Sequence, residues 1–137
     1  MSKLIRFGVS LDKDLLQKFD NYIKINNYTT RSKAISDLIS DVFVQQEWKK
    51  NKKSAGAIVL VYDHHKRELV NKLIDIQHDF HKIIISSQHV HLDHNNCLEV
   101  ILTKGKTVEI QKLASLLKST KGVKYSSLLA ATTGKEL

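Results

Sequence analysis

Apolar and polar residues alternate with a period of two near the start of the chain. Every second residue from Ile5 to Leu11 is apolar, and the residues between them are Arg6, Gly8 and Ser10. This period predicts a half-buried β-strand, because successive side chains of a strand point to opposite faces. The polar face of that strand would present Arg6, Gly8 and Ser10 together.

The pattern then changes to helical spacing. Asp12 is a suitable N-cap for a first helix, whose apolar residues recur at helical intervals between residues 15 and 23. Thr29 or Thr30 can cap a second helix, whose apolar stripe extends over residues 34–43. Because a single strand cannot satisfy its own backbone hydrogen bonds, we expect two copies of this module to pair their strands as an antiparallel ribbon. Such a dimer would pool four helices.

A second module follows a short basic run at residues 49–54, which is typical of a linker or a helix end. Its predicted elements are strand 55–62, helix 65–80, strand 82–91, strand 97–103, helix 107–119 and strand 122–130. We therefore predict an α+β chain. A dimeric β-α-α domain occupies residues 1–50, a linker occupies 51–54, and a ferredoxin-like β-α-β-β-α-β domain occupies 55–137.

The composition excludes several classes of protein. The 137 residues include one cysteine, so no disulfide within the chain can stabilise the fold. No apolar run approaches the ~18 residues that cross a bilayer, and the N-terminus has no signal-peptide pattern. We therefore expect a cytoplasmic protein without a membrane partner. The formal net charge of +8 favours a polyanionic partner such as nucleic acid.

All seven histidines and the single cysteine lie between residues 64 and 97. His89 and His91 are two residues apart on a predicted strand, so both imidazoles leave the same face. We expect the apolar residues of this strand and the next one to face the helices together. Those apolar residues are Ile84, Val90, Leu92, Leu98, Val100 and Leu102. The resulting register pairs His91 with Cys97 and His89 with Glu99.

Two imidazoles and one thiolate suit a borderline metal ion such as Zn, Cu, Ni or Co. His78, near the end of the predicted helix, is the leading candidate for a fourth ligand, and another subunit could supply it. Alternative ligands, or members of weaker sites, are His64, His65, His81 and His94. A catalytic Cys–His pair is the competing interpretation, but no oxyanion-forming glycine loop or orienting Asp or Asn accompanies it. We therefore expect no enzyme activity.

Residues 6–11 together with residues 27–35 resemble the ribbon-helix-helix family of DNA-binding proteins. With the second module included, the chain resembles the nickel-responsive transcriptional regulators, which join such a segment to a ferredoxin-like, ACT-type domain. The strong part of this resemblance is a His–x10–His–x–His–x5–Cys spacing over residues 78–97. Residues 62–68 add a further match.

The resemblance implies one Ni(II) per subunit in a homotetramer built as a dimer of dimers. The family's square-planar site corresponds here to His89, His91 and Cys97 of one chain and His78 of another. A d⁸ ion with one thiolate and three imidazoles favours planar geometry, which selects Ni(II) or Cu(II) over tetrahedral Zn(II). Three further residues match positions whose hydrogen bonds would orient the ligands. These residues are Tyr62, Gln77 and Glu99.

The resemblance also implies operator DNA as a partner. Arg6, Gly8 and Ser10 match the base-reading strand positions, and a two-stranded ribbon fits the major groove, where Arg binds guanine through two hydrogen bonds. Gly8 departs from the hydroxyl-bearing residue that is usual in the family. Residues that match positions near the DNA backbone are Arg31, Ser32, Lys66 and Arg67.

An auxiliary cation site is implied in part. Some family members hold a cation between the two modules, and Asp37 matches one of its acidic ligands. Lys33 stands where the other acidic residue is expected, so the match to this site is incomplete.

The expected function is that of a metal-responsive DNA-binding regulator, in which Ni(II) binding at the tetramer interface promotes operator binding. Two alternatives remain open. One is a ribbon-helix-helix regulator that senses a small organic ligand, and the other is a cytoplasmic metal-buffering protein.

Overall fold

The computed structural model describes residues 3–135 and residue 137. The chain divides into two compact units, Met1–Asp41 and Val42–Leu137, and the boundary in the sequence falls within the second helix. The predicted division into domains with a linker at residues 51–54 remains a prediction. In the part of the chain that the structure describes, no helix combines the length and the apolarity that a membrane span requires.

Helix α1 and the first part of helix α2 form the first unit. Helix α1 spans Lys13–Ile25, and the Asp12 carboxylate accepts a 3.0 Å hydrogen bond from a backbone N–H of its first turn. Helix α2 spans Arg31–Lys49, and the Thr30 hydroxyl oxygen accepts a 3.1 Å bond in the same way. These contacts satisfy N–H groups that a helix start leaves without an intrahelical acceptor. Asp12 and Thr30 are thus confirmed as caps.

The strand predicted over residues 5–11 is not formed within this chain. Residues 3–12 carry no strand assignment, and their apolar side chains are exposed, with Ile5 at 80% and Phe7 at 72%. A strand needs a neighbour for its backbone groups, and the described part of one chain gives this segment none. The strand was predicted to form by pairing with a second copy, and that pairing remains a prediction.

The second unit begins with the end of α2 and continues with six elements in the predicted order. They are β1 (Lys53–Tyr62), α3 (Arg67–Asp79), β2 (Ile84–Asp93), β3 (Asn96–Lys106), α4 (Thr107–Ser119) and β4 (Tyr125–Ala130). The strands form one antiparallel sheet in the order β2-β3-β1-β4. The β-α-β-β-α-β order is confirmed, with element ends that differ from the prediction by a few residues.

One face of the sheet carries the core, and helices α3 and α4 cover it. Ile58 and Leu60 of β1 and Ile101 of β3 are fully buried in one cluster with Ile110 and Leu113 of α4. Alternate residues of a strand share a face, so the residues of β3 that lie two and four positions before Ile101 are on this same covered face.

Cys97 and Glu99 are the residues four and two positions before Ile101, so they lie on the covered face of the sheet. The prediction that the helices cover the opposite face, away from Cys97 and Glu99, is therefore wrong. Cys97 and Glu99 are each only 2% exposed. The residues expected under the helices lie instead on the opposite, open face; they are Val90, Leu92, Leu98, Val100 and Leu102. Both faces carry apolar residues, so apolarity alone did not identify the covered one. The register is unaffected, because odd residues pair with odd residues on either face.

Ile84 differs from the rest of its predicted set. A register shift between Ile84 and Ser86 changes the alternation of β2, so Ile84 pairs with the buried Thr103 and packs against the core. Residues Ser86 to His91 then pair regularly with β3, and a second register shift follows between His91 and Asp93.

Candidate metal centre

The hairpin of β2 and β3 places two histidines beside the cysteine strand. His91 is the cross-strand partner of Cys97, and His89 is the partner of Glu99, so the predicted register is confirmed. The turn is held by Asp93, whose Oδ1 accepts hydrogen bonds from the Asn95 backbone N–H at 2.9 Å and from the Asn96 side-chain amide at 3.0 Å. This turn fixes which residues stand opposite each other.

Three side chains surround the buried carboxylate of Glu99. The Tyr62 hydroxyl donates to Oε1 at 2.7 Å, and the Gln77 amide donates to Oε2 at 3.1 Å. The His89 Nε2 lies 3.1 Å from Oε1. Glu99 therefore ties β1, α3 and β2 to β3. If Nε2 of His89 carries the proton and donates it to Glu99, the Nδ1 atom is left as the metal-binding nitrogen.

The environment of Cys97 suits a thiolate only when a positive charge is near. Burial raises the pKa of the Cys97 thiol above its ordinary value, and a hydrogen bond from Tyr62 offsets part of that rise. Burial also raises the pKa of Tyr62, and its hydrogen bond to Glu99 adds to the effect, so Tyr62 stays a neutral donor. A buried thiol next to imidazoles can exchange its proton for a metal ion, which makes this donor set fit nickel.

One chain does not assemble the four predicted ligands. His78 lies in the last turn of α3, and its ring centre is 5.8 Å from that of His81. Among the described residues, no three of the four predicted ligands place their donor atoms within 4.8 Å of one another. The hairpin pairs His91 with Cys97, whereas the donor atoms of the four residues are not gathered around one point in the described part of the single chain.

Four histidines form a row that the sequence analysis did not foresee. His64 stacks on His91 with ring centres 4.2 Å apart and planes at 7°. His64 also lies 4.2 Å from His65, which in turn lies 4.9 Å from His94. Burial lowers the pKa of His64 below its ordinary value of 6.5, and the neighbouring imidazoles of His65 and His91 add to this effect. The remaining histidine, His81, contacts the backbone carbonyl of His78 through Nδ1 at 3.0 Å.

A sequence signal for this row did exist. Tyr62 pairs with Cys97, and Cys97 pairs with His91, so the turn after Tyr62 lies at the same end of the sheet as His91, with β3 between the two strands. The register therefore places this turn near the histidines of β2, whereas the stack itself depends on the path of the turn.

The residues predicted to read DNA bases lie on the extended segment before α1. Arg6, Gly8 and Ser10 are all exposed there. A Cβ atom added at Gly8 would meet no atom within 4 Å, so the departure from a hydroxyl-bearing residue has no packing reason within this chain.

The basic residues predicted at the DNA backbone differ in their partners. Arg31 forms two hydrogen bonds with the Asp20 carboxylate, at 2.9 and 2.8 Å, which link α2 to α1. Ser32 is exposed in the first turn of α2, and Lys66 and Arg67 are exposed at the start of α3. These side chains are accessible to a phosphate group. Arg31 would have to break its hydrogen bonds with Asp20 before it could bind the phosphate.

Asp37, the residue predicted for an auxiliary cation, already has partners for both oxygens. The Lys33 ammonium lies 2.6 Å from Oδ1, and the Tyr28 hydroxyl donates to Oδ2 at 2.8 Å. These two contacts lower the pKa of Asp37, and its hydrogen bond raises the pKa of Tyr28 to about 12. The Lys33 ammonium thus supplies a positive charge next to this carboxylate.

Comparison with known proteins identifies the family. The sequence profile described as "NikR C terminal nickel binding domain" matches residues 55–131. A protein of Syntrophus aciditrophicus with the name "Putative nickel-responsive regulator" is 53% identical over 135 residues, which is 98% of each chain. Relatives with the same name occur in Chlorobaculum parvum, at 57% identity over 93% of this chain and 96% of the relative, and in Nitratidesulfovibrio vulgaris strain Miyazaki F, at 54% over 100% and 99%.

A solved structure supports the fold alone. An uncharacterized protein from Thermotoga maritima superposes with a TM-score of 0.52 at 15% identity, covering 57% of this chain and 96% of the other. The names of the sequence relatives describe regulators, which agrees with the expectation of a non-enzymatic role. With a nickel-binding domain matched over more than half of its residues and relatives aligned over nearly its full length, this chain belongs to the nickel-responsive regulator family.

Proposed function

We propose that this regulator binds operator DNA in response to nickel, at a metal site completed between chains. The observation that carries the proposal is the β2–β3 hairpin, which sets two histidines opposite the buried Cys97 and Glu99. A ligand set that one chain leaves incomplete allows a metal ion to control how chains are arranged. Such control is what couples a sensing site to a distant DNA-binding surface.

The proposed ligands are His89, His91 and Cys97 of one chain and His78 of another, with one nickel ion per subunit. When bound, nickel(II) supplies the positive charge that stabilises a buried thiolate. The protein's own contribution is orientation: Tyr62 and Gln77 hold the Glu99 carboxylate, and that carboxylate holds the ring of His89. His78 lies on α3 and not on the hairpin that carries the other three ligands, and we propose that it comes from a second chain.

The open face of the sheet supports assembly into a homotetramer. Its apolar side chains are exposed in the single chain; they include Val90 at 47%, Leu92 at 54%, Leu102 at 44%, Tyr125 at 59% and Leu129 at 68%. A contiguous apolar surface of this kind marks a protein–protein contact. We propose a dimer of dimers, in which second units join through such surfaces and the N-terminal segments pair within each dimer.

On the DNA side, the paired segments would enter the major groove as a two-stranded ribbon. Arg6 is the side chain that can read guanine, with Ser10 as a second polar contact and Gly8 as a position of close approach. Arg31, Ser32, Lys66 and Arg67 would contact phosphates and set the register of the protein on the duplex. We place this activity in the cytoplasm.

The test is a titration of full-length protein against operator duplexes selected from random DNA, with added nickel and with a chelator. We expect nickel to raise operator affinity at least tenfold over the chelated protein. Cys97→Ala should abolish that response, whereas the matched control His81→Ala should retain it. Equal affinity with nickel and with chelator would overturn the proposal.

Two further variants separate the alternative functions. Arg6→Ala should lose the preference for operator over random duplex and keep nickel binding, because Arg6 lies on the DNA-reading segment. A protein that only buffers metal would show no such preference before the substitution. A regulator that senses a small organic ligand would keep its response after Cys97→Ala.

A further inference from the structure

We propose that Asp63, His64 and His65, in the turn between β1 and α3, form a second binding site for a borderline divalent ion such as Zn(II), Ni(II), Cu(II) or Co(II). This site uses no ligand of the proposed nickel centre. Metal binding at this second site is separate from the proposed function and does not depend on the nickel centre.

The donor atoms of the turn are already close together. One ligand atom from each of Asp63, His64 and His65 lies within 4.8 Å of the other two. Around an ion with bonds of about 2.0–2.1 Å, neighbouring ligand atoms are roughly 3–4 Å apart, so small side-chain rotations would close the site. Two imidazole nitrogens and one carboxylate oxygen form a donor set that borderline transition-metal ions prefer.

An unpartnered nitrogen points to a missing ligand. The Nδ1 atom of His64 is buried from solvent and has no hydrogen-bond partner among the described residues. A buried polar atom without a partner is rare and costs free energy, because it has lost its water and gained nothing in return. Coordination to an ion would satisfy this atom.

The backbone of the turn holds the acidic ligand in place. Asp63 Oδ1 accepts a 2.9 Å hydrogen bond from the His65 backbone N–H, and the His65 ring nitrogen Nδ1 lies 3.1 Å from the same oxygen. Carboxylate and imidazole thus already meet at one point, where an ion could replace the proton between them. The ring of His94, 4.9 Å from that of His65, is the nearest candidate for a fourth ligand.

The site is open to ions from outside. A surface depression is lined by His64, His65, Arg67, Val70 and Asn71. His65 is exposed on this surface, whereas Cys97 is buried beneath the helices. His64 also stacks on His91, which belongs to the proposed nickel centre. The variants that test the second site therefore keep His64 and change Asp63 or His65.

The experiment measures metal bound per chain by equilibrium dialysis of the full-length protein against zinc(II), with detection by mass spectrometry. We expect wild type to bind two ions per chain. Asp63→Asn and His65→Ala should each raise the dissociation constant of one ion at least tenfold and leave the other unchanged. The matched control His81→Ala removes a histidine outside this turn and should bind as wild type does.

The variant Cys97→Ala distinguishes the two sites. If the turn binds its own ion, Cys97→Ala retains the ion whose affinity depends on Asp63. That result would stand even if the proposed nickel centre failed and Cys97→Ala bound zinc as wild type does. The inference is overturned if Asp63→Asn gives the wild-type isotherm, or if the wild type itself binds its second ion only in the millimolar range. Asp63→Asn preserves side-chain shape, so it decides the question if His65→Ala fails to fold.

Discussion

In the unit Val42–Leu137, apolar residues of three strands and two helices pack into one buried cluster, with Ile58, Ile101 and Leu113 fully covered. In the unit Met1–Asp41, Ala34 is the buried apolar residue among those described, and the exposed ones include Phe7 at 72% and Leu38 at 44%. Both units have apolar stripes at regular spacing. Among the described residues, the second unit buries one of its apolar faces in a core, whereas the first unit leaves its stripes, apart from Ala34, half-buried or exposed.

The difference between the units supports the proposal that a second chain supplies the contacts missing from the first unit. The second unit has a four-stranded sheet whose inner strands are hydrogen-bonded on both sides, so its fold is complete in one copy. The first unit has two helices and an extended segment without a strand neighbour in the described chain. A segment of about 40 residues is near the lower limit for an independent core, so a second chain is the simplest source of both strand pairing and burial.

The largest expected effect is on the core of the second unit. Leu113→Ala should lower the free energy of unfolding by about 2–5 kcal/mol, because the fully buried side chain leaves a cavity. Leu116→Ala on the same helix is the matched control, since Leu116 is 40% exposed, and it should cost about 1 kcal/mol or less. Urea denaturation followed by circular dichroism measures both. Equal losses in the two variants would contradict the assigned core.

The next effect concerns the exposed segment of the first unit. If the segments pair between chains, the Phe7 side chain is buried there, and Phe7→Asp should remove a stabilising free energy of about 1.5–3 kcal/mol per copy. Hydrogen exchange should then show at least tenfold faster exchange in α1, with β1 and β3 unchanged. Arg6→Ala, on the opposite face of the segment, should leave exchange unchanged everywhere. If Phe7→Asp exchanged as wild type does, the first unit would be stable without a second chain.

A smaller effect is expected at the buried carboxylate of the second unit. Tyr62→Phe removes the 2.7 Å hydrogen bond to Glu99, and bonds to charged groups contribute about 1.5–3 kcal/mol. Because Glu99 also contacts His89, nickel affinity should fall about 10–100-fold. Tyr125→Phe, at an exposed position of β4, is the control for loss of a phenol hydroxyl. Unchanged nickel affinity in Tyr62→Phe would show that Glu99 does not orient the ligand.

Local sequence signals predicted local structure well. Asp12 and Thr30 are short polar residues directly before helical patterns, and both act as caps. The pairing of His91 with Cys97 was predicted from the rule that odd residues pair with odd residues. That rule holds whichever face of the sheet is buried, so the pairing is correct although the predicted buried face is wrong. Residues 5–11 form no strand in the single chain, where the described residues offer no neighbouring strand, and their pairing with a second copy remains a prediction.

Contacts between distant residues were less accessible to sequence reasoning. Both faces of the sheet carry apolar residues near the hairpin, so the covered face became evident only from the phase of Ile58 and Ile101. The resemblance to a family, and not the spacing, indicated that Tyr62 and Gln77 stand near the ligands. The stack of His64 on His91 depends on the path of a turn, which periodicity does not specify.

The smallest expected effect is the pH dependence of the first unit. The hydrogen bonds from Arg31 lower the pKa of Asp20 below its ordinary value of 3.8. The folded state therefore favours the ionised carboxylate, so this pair stabilises the unit above about pH 4 and loses its contribution as pH falls through the folded pKa. Asp20→Asn should lower the melting temperature of α1 slightly at pH 7 and have no effect at low pH. Asp41→Asn is the control that removes an exposed carboxylate from α2. If Asp20→Asn lowered the melting temperature by the same amount at low pH as at pH 7, the pair would act through packing and not through charge.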